Sequence, residues 1–187
     1  MQASPGVNSL AGAVQVALRS GKYYQAGFAN FATQALTVDR IYATPFWVPA
    51  DTPIDRIGLA VSGAGGAGSV IRLGAYRDLP TMGYPGAEVF EAGTIDGTLV
   101  ASQEIVIAQT LPAGWNWLTA VAQVGTSPSV RSVNGTMQSV PSAGIPGNTN
   151  ATAVHAAGTP GAPLPAVFDT NQFQTGDPGA RIFVRVK

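Results

Sequence analysis

The chain has 187 residues, the size of one domain of roughly 100–200 residues, and Lys+Arg 10 balances Asp+Glu 10. Zero net charge excludes the basic footprint of a nucleic-acid binder or a polybasic membrane binder. The absence of Cys excludes a disulfide framework, a thiolate metal site and a Cys nucleophile, and a single His, His155, argues against a His-rich zinc centre or a His-based triad.

Charged residues make up 11% where roughly 25% is usual, yet 45% are hydrophobic, so the chain folds and its surface is mostly uncharged. Gly 23 and Pro 14, about a fifth of the chain, point to short strands and turns rather than a helical bundle.

Residues 1–19 read as an N-terminal docking arm. In it Leu10, Val14 and Leu18 have helical spacing, while Val14, Val16 and Leu18 equally have strand spacing. Met1 to Leu18 lacks a basic n-region, which predicts no secretory leader. From residue 20 to 187 the pattern is that of one sandwich domain. Tyr42 to Val48 is β-rich but holds Pro45, so it belongs at an edge or a bulge. Ile57, Leu59 and Val61 share one strand face, and Ile71, Leu73 and Ala75 share another. Gly63 to Gly68 between them predicts a hairpin with a flexible tip.

Ile105 and Ile107 alternate with Glu104, Val106 and Ala108, and Ile182, Val184 and Val186 alternate with Phe183, Arg185 and Lys187. Trp115 to Gln123 is apolar on both faces, as in a strand at the middle of a sandwich. Asn134 to Pro165 shows no strand pattern and predicts a long irregular loop at about 134–165, lying on a neighbouring subunit. Its prolines and glycines rule out a membrane-spanning helix. The sum is an all-β fold, an antiparallel β-sandwich with jelly-roll topology as the first expectation.

Chemical candidates are few. Asp51, Asp55, Asp96 and Asp169 suit turns, and Asp96-Gly97 is a strong turn dipeptide. A calcium site on Asp169 or Asp177 lacks the regular acidic spacing of a calcium loop, so no metal or cofactor is expected. Glu88 and Glu91 are an imaginable glycosidase pair but read as solvated loop charge. His155 lies in an Ala/Gly/Pro-rich stretch and no Gly-x-Ser-x-Gly elbow exists, so no catalytic residues are assigned. Trp47, Trp115 and Trp117 are expected in the core. Tyr84, in the turn-prone Met82–Gly86, is expected to be exposed and is the candidate contact to a partner surface or glycan.

Gly21-Lys22-Tyr23-Tyr24, Ala43 to Pro49, Ile54 to Gly58, Arg72 to Tyr76, Tyr84-Pro85-Gly86 and Leu111 to Leu118 follow one another in an order that resembles a β-sandwich domain of tailed-bacteriophage fibre, spike and minor tail proteins. The resemblance covers roughly residues 20–125. Two features depart from it: the PG loop continues into Ala87-Glu88-Val89 rather than Leu, and the long uncharged loop has no counterpart. The resemblance implies a non-enzymatic virion component, usually a homotrimer, displayed on a tail or head and often touching a host surface glycan or protein; the arm at residues 1–19 is then expected to dock to other virion proteins. A carbohydrate-binding or adhesive module of a cellular surface protein is the alternative.

Overall fold

The computed structural model describes residues 18–26, 31–79, 83–133, 154–158, 161–169, 174–175 and 178–187. Its strands are β1 (Tyr23–Gln25), β2 (Phe31–Ala35), β3 (Arg40–Val48), β4 (Thr52–Gly63), β5 (Val70–Leu79), β6 (Tyr84–Asp96) and β7 (Ser102–Leu111), followed by β8 (Gly114–Gln123), β9 (Ser129–Val133), β10 (Val154–Ala157), β11 (Gln174–Thr175), β12 (Gly179–Ala180) and β13 (Ile182–Val186). No helix occurs among the described residues.

The strands form an antiparallel β-sandwich. The first sheet runs β1-β13-β4-β9-β12, with β2 added to β9 and β7 to β4; the second runs β11-β10-β3-β8-β5-β6. The alternation expected from the sequence decides which side chains meet between them. Ile57, Leu59 and Val61 of β4, Ile71, Leu73 and Ala75 of β5, and Ile182 and Val184 of β13 are buried in one cluster with Leu118, Ala120 and Ala122 of β8. As expected of a strand apolar on both faces, β8 lies inside its sheet, between β3 and β5. Pro45 stands beyond Ala43, the last β3 residue paired with β10.

Three expectations are corrected. Gly63 to Gly68 does not close a hairpin: β4 pairs with β7, β13 and β9, whereas β5 pairs with β6 and β8, so this segment crosses from one sheet to the other. Its glycines serve close approach. The Gly65 amide donates to the Gly97 carbonyl at 2.9 Å and the Gly66 amide to the Thr126 carbonyl at 3.2 Å, and a Cβ on Gly65 would lie 2.7 Å from the Thr126 carbonyl oxygen.

The stretch 134–165 is not wholly strandless. Val154–Ala157 forms β10 on the edge of β3, in a register that sets His155 opposite Tyr42. Backbone pairing to an existing edge makes this strand; Val-His-Ala-Ala has no apolar alternation to announce it. Residues 134–153 lie outside the described residues. Further on, residues 161–169 lie on their own domain rather than needing a subunit neighbour: Leu164 and Phe168 are buried against the outer face of the second sheet. Finally, Leu18, assigned to the docking arm, packs against the main core, and the Arg19 amide donates to the Tyr24 hydroxyl at 2.8 Å, so the sandwich begins before residue 20. Residues 1–17 lie outside the described residues.

Asp55, expected in a turn, is in β4, where the β4–β7 register shifts between Ile54 and Arg56. Its carboxylate accepts Nε of Arg185 at 2.8 Å and Nη2 at 2.5 Å. Beside it Arg56 Nε donates to Glu104 at 3.2 Å, and the Tyr23 hydroxyl donates to the other Glu104 oxygen at 2.8 Å. The hydrogen bonds from Arg185 hold the Asp55 carboxyl below the usual range. A depressed carboxyl contributes stability above its unfolded pKa of about 3.9 and loses it as the pH falls through the folded value. Asp55→Asn is therefore expected to lower the melting temperature at neutral pH, and the gap to the parent is expected to close as melts are repeated at pH values progressively below about 3.9. A gap that stays constant down to the acid limit would show that Arg185 does not act through this charge.

Candidate functional site

The outer face of the second sheet carries two different surfaces. One is covered. Ile41 and Ala43 of β3, Trp117 and Val121 of β8 and Tyr76 of β5 form a second buried cluster beneath Leu164 and Phe168, with Tyr84 packed at its margin.

Residues 161–169 are tied down along their length. Gln123 Nε2 donates to the Ala162 carbonyl at 2.7 Å, the Leu164 amide to Glu91 Oε2 at 2.6 Å, and the Tyr76 hydroxyl to the Pro165 carbonyl at 2.8 Å. The Glu88 amide donates to the Ala166 carbonyl at 2.9 Å, and the Phe168 amide to Gly86 at 2.9 Å. Arg72 Nη1 binds the second oxygen of Glu91 and Nε binds Gln123 at 3.0 Å, which fixes both polar anchors. Burial pushes the Tyr76 phenol well above its usual range, so it stays protonated and keeps donating. Glu91 is thus a structural clasp rather than solvated charge. Burial and the neighbouring Glu91 raise the Glu88 carboxyl.

The other surface is open. At the end of the sheet Trp47 on β3 lies opposite Trp115 on β8. Their ring centroids are 5.4 Å apart at an interplanar angle of 65°, an edge-to-face pair. Trp47 is 39% exposed and Trp115 37%, against 3% for Trp117, so the expectation that all three tryptophans are core holds only for Trp117. The reason is alternation: Trp47 and Trp115 point outward like Trp117, but residues 161–169 cover only the Trp117 end.

The platform is braced from below. The Asp51 carboxylate accepts the Ala113 amide at 2.8 Å, and Asn116 Nδ2 donates to the carbonyls of Pro112 at 2.8 Å and Gly114 at 3.1 Å. Gly114 has φ 101°, and a Cβ there would touch the Trp47 ring at 4.0 Å. Asp78 Oδ1 accepts Trp117 Nε1 at 2.8 Å, which holds a carboxylate on the same outer face. The β5–β8 register ends at Arg77 opposite Asn116, so the next step along each strand brings Asp78 beside Trp115. Two accessible indoles can stack on the apolar face of a sugar ring while the neighbouring Asp78 carboxylate accepts hydrogen bonds from its hydroxyls.

Tyr84 is not the exposed turn residue expected: it begins β6 opposite Leu79 and is half-buried at the edge of the second cluster. Asp96 is the turn residue expected, accepting the Thr98 amide and hydroxyl, each at 2.7 Å. Asp177 and the side chain of His155 lie outside the described residues. Among the described residues no group of three or more His, Asp or Glu could hold a metal ion, and no helix is long and apolar enough to cross a membrane. No protein-family model matches the chain, and no curated protein matches it.

Proposed function

We propose that this chain is a structural, non-enzymatic component of a tailed-phage virion, a fibre, spike or decoration module that projects its Trp47–Trp115 face toward a host surface. One observation carries the reading. The phrases that resemble the phage domain fall in chain order on β1, β3, β4, β5, the start of β6 and β8 of a single sandwich. The jelly-roll part of the reading is supported by the strand orders β3-β8-β5-β6 and β1-β13-β4-β7, which a rolled pair of Greek keys generates. A low-charge exterior suits a homotrimer shielded by its own copies and by other virion proteins docked through residues 1–19.

A second reading, a carbohydrate-binding module of a cellular surface protein, is favoured by the exposed indole pair alone. One experiment separates them. Phage particles are banded on a density gradient and probed with an antibody to this chain, while the purified chain and its Trp47→Ala/Trp115→Ala variant are assayed on host-envelope glycans. The virion reading expects the chain to band with particles, and the contact face expects the double variant to keep its fold and lose about tenfold or more in glycan affinity. A chain absent from particles yet binding glycan overturns the first reading in favour of the second. Particle-bound chain with unchanged glycan binding in the variant removes the Trp face from the proposal.

A further inference from the structure

The Trp47–Trp115 pair stands beside a carboxylate whose charge nothing neutralises. Asp78 gives one oxygen to Trp117 Nε1 and, among the described residues, makes no other hydrogen bond and no ion pair. Its sequence neighbour Arg77 is turned away. Tyr76 and Asp78 lie on the outer face of β5, so alternation sends Arg77 to the opposite face, where its ladder partner Asn116 is buried.

Every other cation is accounted for as well, because all 10 Lys and Arg fall on described residues. Seven sit on or beside β1, β4, β9, β12 and β13, in the first sheet. Arg40 begins β3, at the opposite end of that strand from Trp47. Arg72 is on the outer face of β5, but it is bound to Glu91 and lies about 20 Å along the strand from Asp78. Glu88, opposite Tyr76, adds a further carboxylate. From Arg72 to the Trp47 end, the strands of this face therefore set Asp78, Glu88 and Glu91 against a single guanidinium.

From this geometry we propose that the glycan taken by the Trp47–Trp115 face is an amino sugar with a free, positively charged amine, whose ammonium lies against the indoles and donates to Asp78. The inference rests on the contact face proposed above and names what that face reads. The face of an aromatic ring is the negative part of its quadrupole, and Trp is the best aromatic receptor for a cation. Two such rings inclined at 65° form a corner, and Asp78 beside it supplies a counter-charge and a charge-assisted acceptor. An N-acetylated sugar can stack there and bond its hydroxyls, but it leaves the carboxylate without a counter-ion. An acidic sugar brings a like charge toward Asp78, which opposes binding. A free ammonium satisfies the rings and the carboxylate together.

The test titrates the full chain, by tryptophan fluorescence and calorimetry, with glucosamine oligosaccharides and with N-acetylglucosamine oligosaccharides of the same length and linkage. It is run at about pH 5.5, between the ordinary ranges of carboxylates and amines. The amino form is expected to bind about tenfold more tightly, by a margin that shrinks as salt is raised. Asp78→Asn keeps an acceptor for Trp117 Nε1 and removes the charge, and it is expected to bring the two forms within about twofold of each other. A preference in the parent that salt does not move would overturn the inference without recourse to any variant. Equal binding of both forms by the parent, lost in Trp47→Ala/Trp115→Ala, overturns the inference and leaves the contact face standing. Binding of neither form removes the contact face and the inference with it. Choline bound as tightly as the amino oligosaccharide would show that an ammonium is read without its sugar, which overturns the assignment.

Discussion

Phe168→Ala is expected to lower the unfolding free energy by about 3 kcal/mol, the lower end of the range for truncating a buried aromatic ring. The ring is 2% exposed and meets the Tyr76 ring edge-on, with centroids 5.5 Å apart at 82°. Its loss removes the apolar weight that keeps residues 161–169 on the sheet, leaving chiefly hydrogen bonds of about 1 kcal/mol net each. The lower end applies because this segment can open as a unit while the core between the sheets stays closed. Tryptophan emission provides the readout. Trp47 and Trp115 are partly exposed already, so a red shift at low denaturant, before the main transition, reports Trp117 being uncovered. A loss well below about 1 kcal/mol with no early shift would show that the segment is held by its polar anchors alone.

The sandwich itself was legible because it depends on large apolar side chains at every second position, a pattern that Ile57-Gly58-Leu59-Ala60-Val61 and Ile182-Phe183-Val184-Arg185-Val186 carry in the sequence. Pairing was not, since a glycine run such as Gly63–Gly68 permits either a tight return or a crossing between layers, and the choice lies in distant partners at Gly97 and Thr126. The turn after β8 was equally silent: Val124 adopts φ 63°, a conformation that its β-branched side chain disfavours.

The candidate face shows the limit most clearly. Trp115 and Trp117 are two residues apart with the same outward direction, and nothing local separates a platform from a buried anchor. Their difference comes from Leu164 and Phe168, about fifty residues on, and from where that cover stops. Tyr84 differs from its turn-like sequence for the same reason, because the cluster that half-buries it is completed by that same segment. A cue was present in Leu164 and Phe168, the large apolar side chains of Leu164-Pro165-Ala166-Val167-Phe168, which favour burial inside an otherwise small and polar stretch.

Gly58→Ala is expected to cost about 3 kcal/mol, the upper part of the overpacking range, although composition alone argues the opposite sign. Glycine inside a strand is normally the weaker choice by roughly 0.5–1 kcal/mol, so alanine should stabilise wherever space allows. Here space does not allow it. A Cβ on Gly58 would lie 2.1 Å from the Gln103 carbonyl oxygen and 2.7 Å from Phe183 Cζ. The phenyl ring can turn aside; the carbonyl belongs to the β7 backbone and moves only if β7 moves with it. The clash exceeds the propensity gain, and the strain falls on the β4–β7 ladder, where Gly58 faces Glu104. Hydrogen exchange is expected to show β7 amides losing protection while those of β8, in the other sheet, keep theirs. Unchanged stability together with protected β7 amides would mean that the β7 backbone is not held against Gly58.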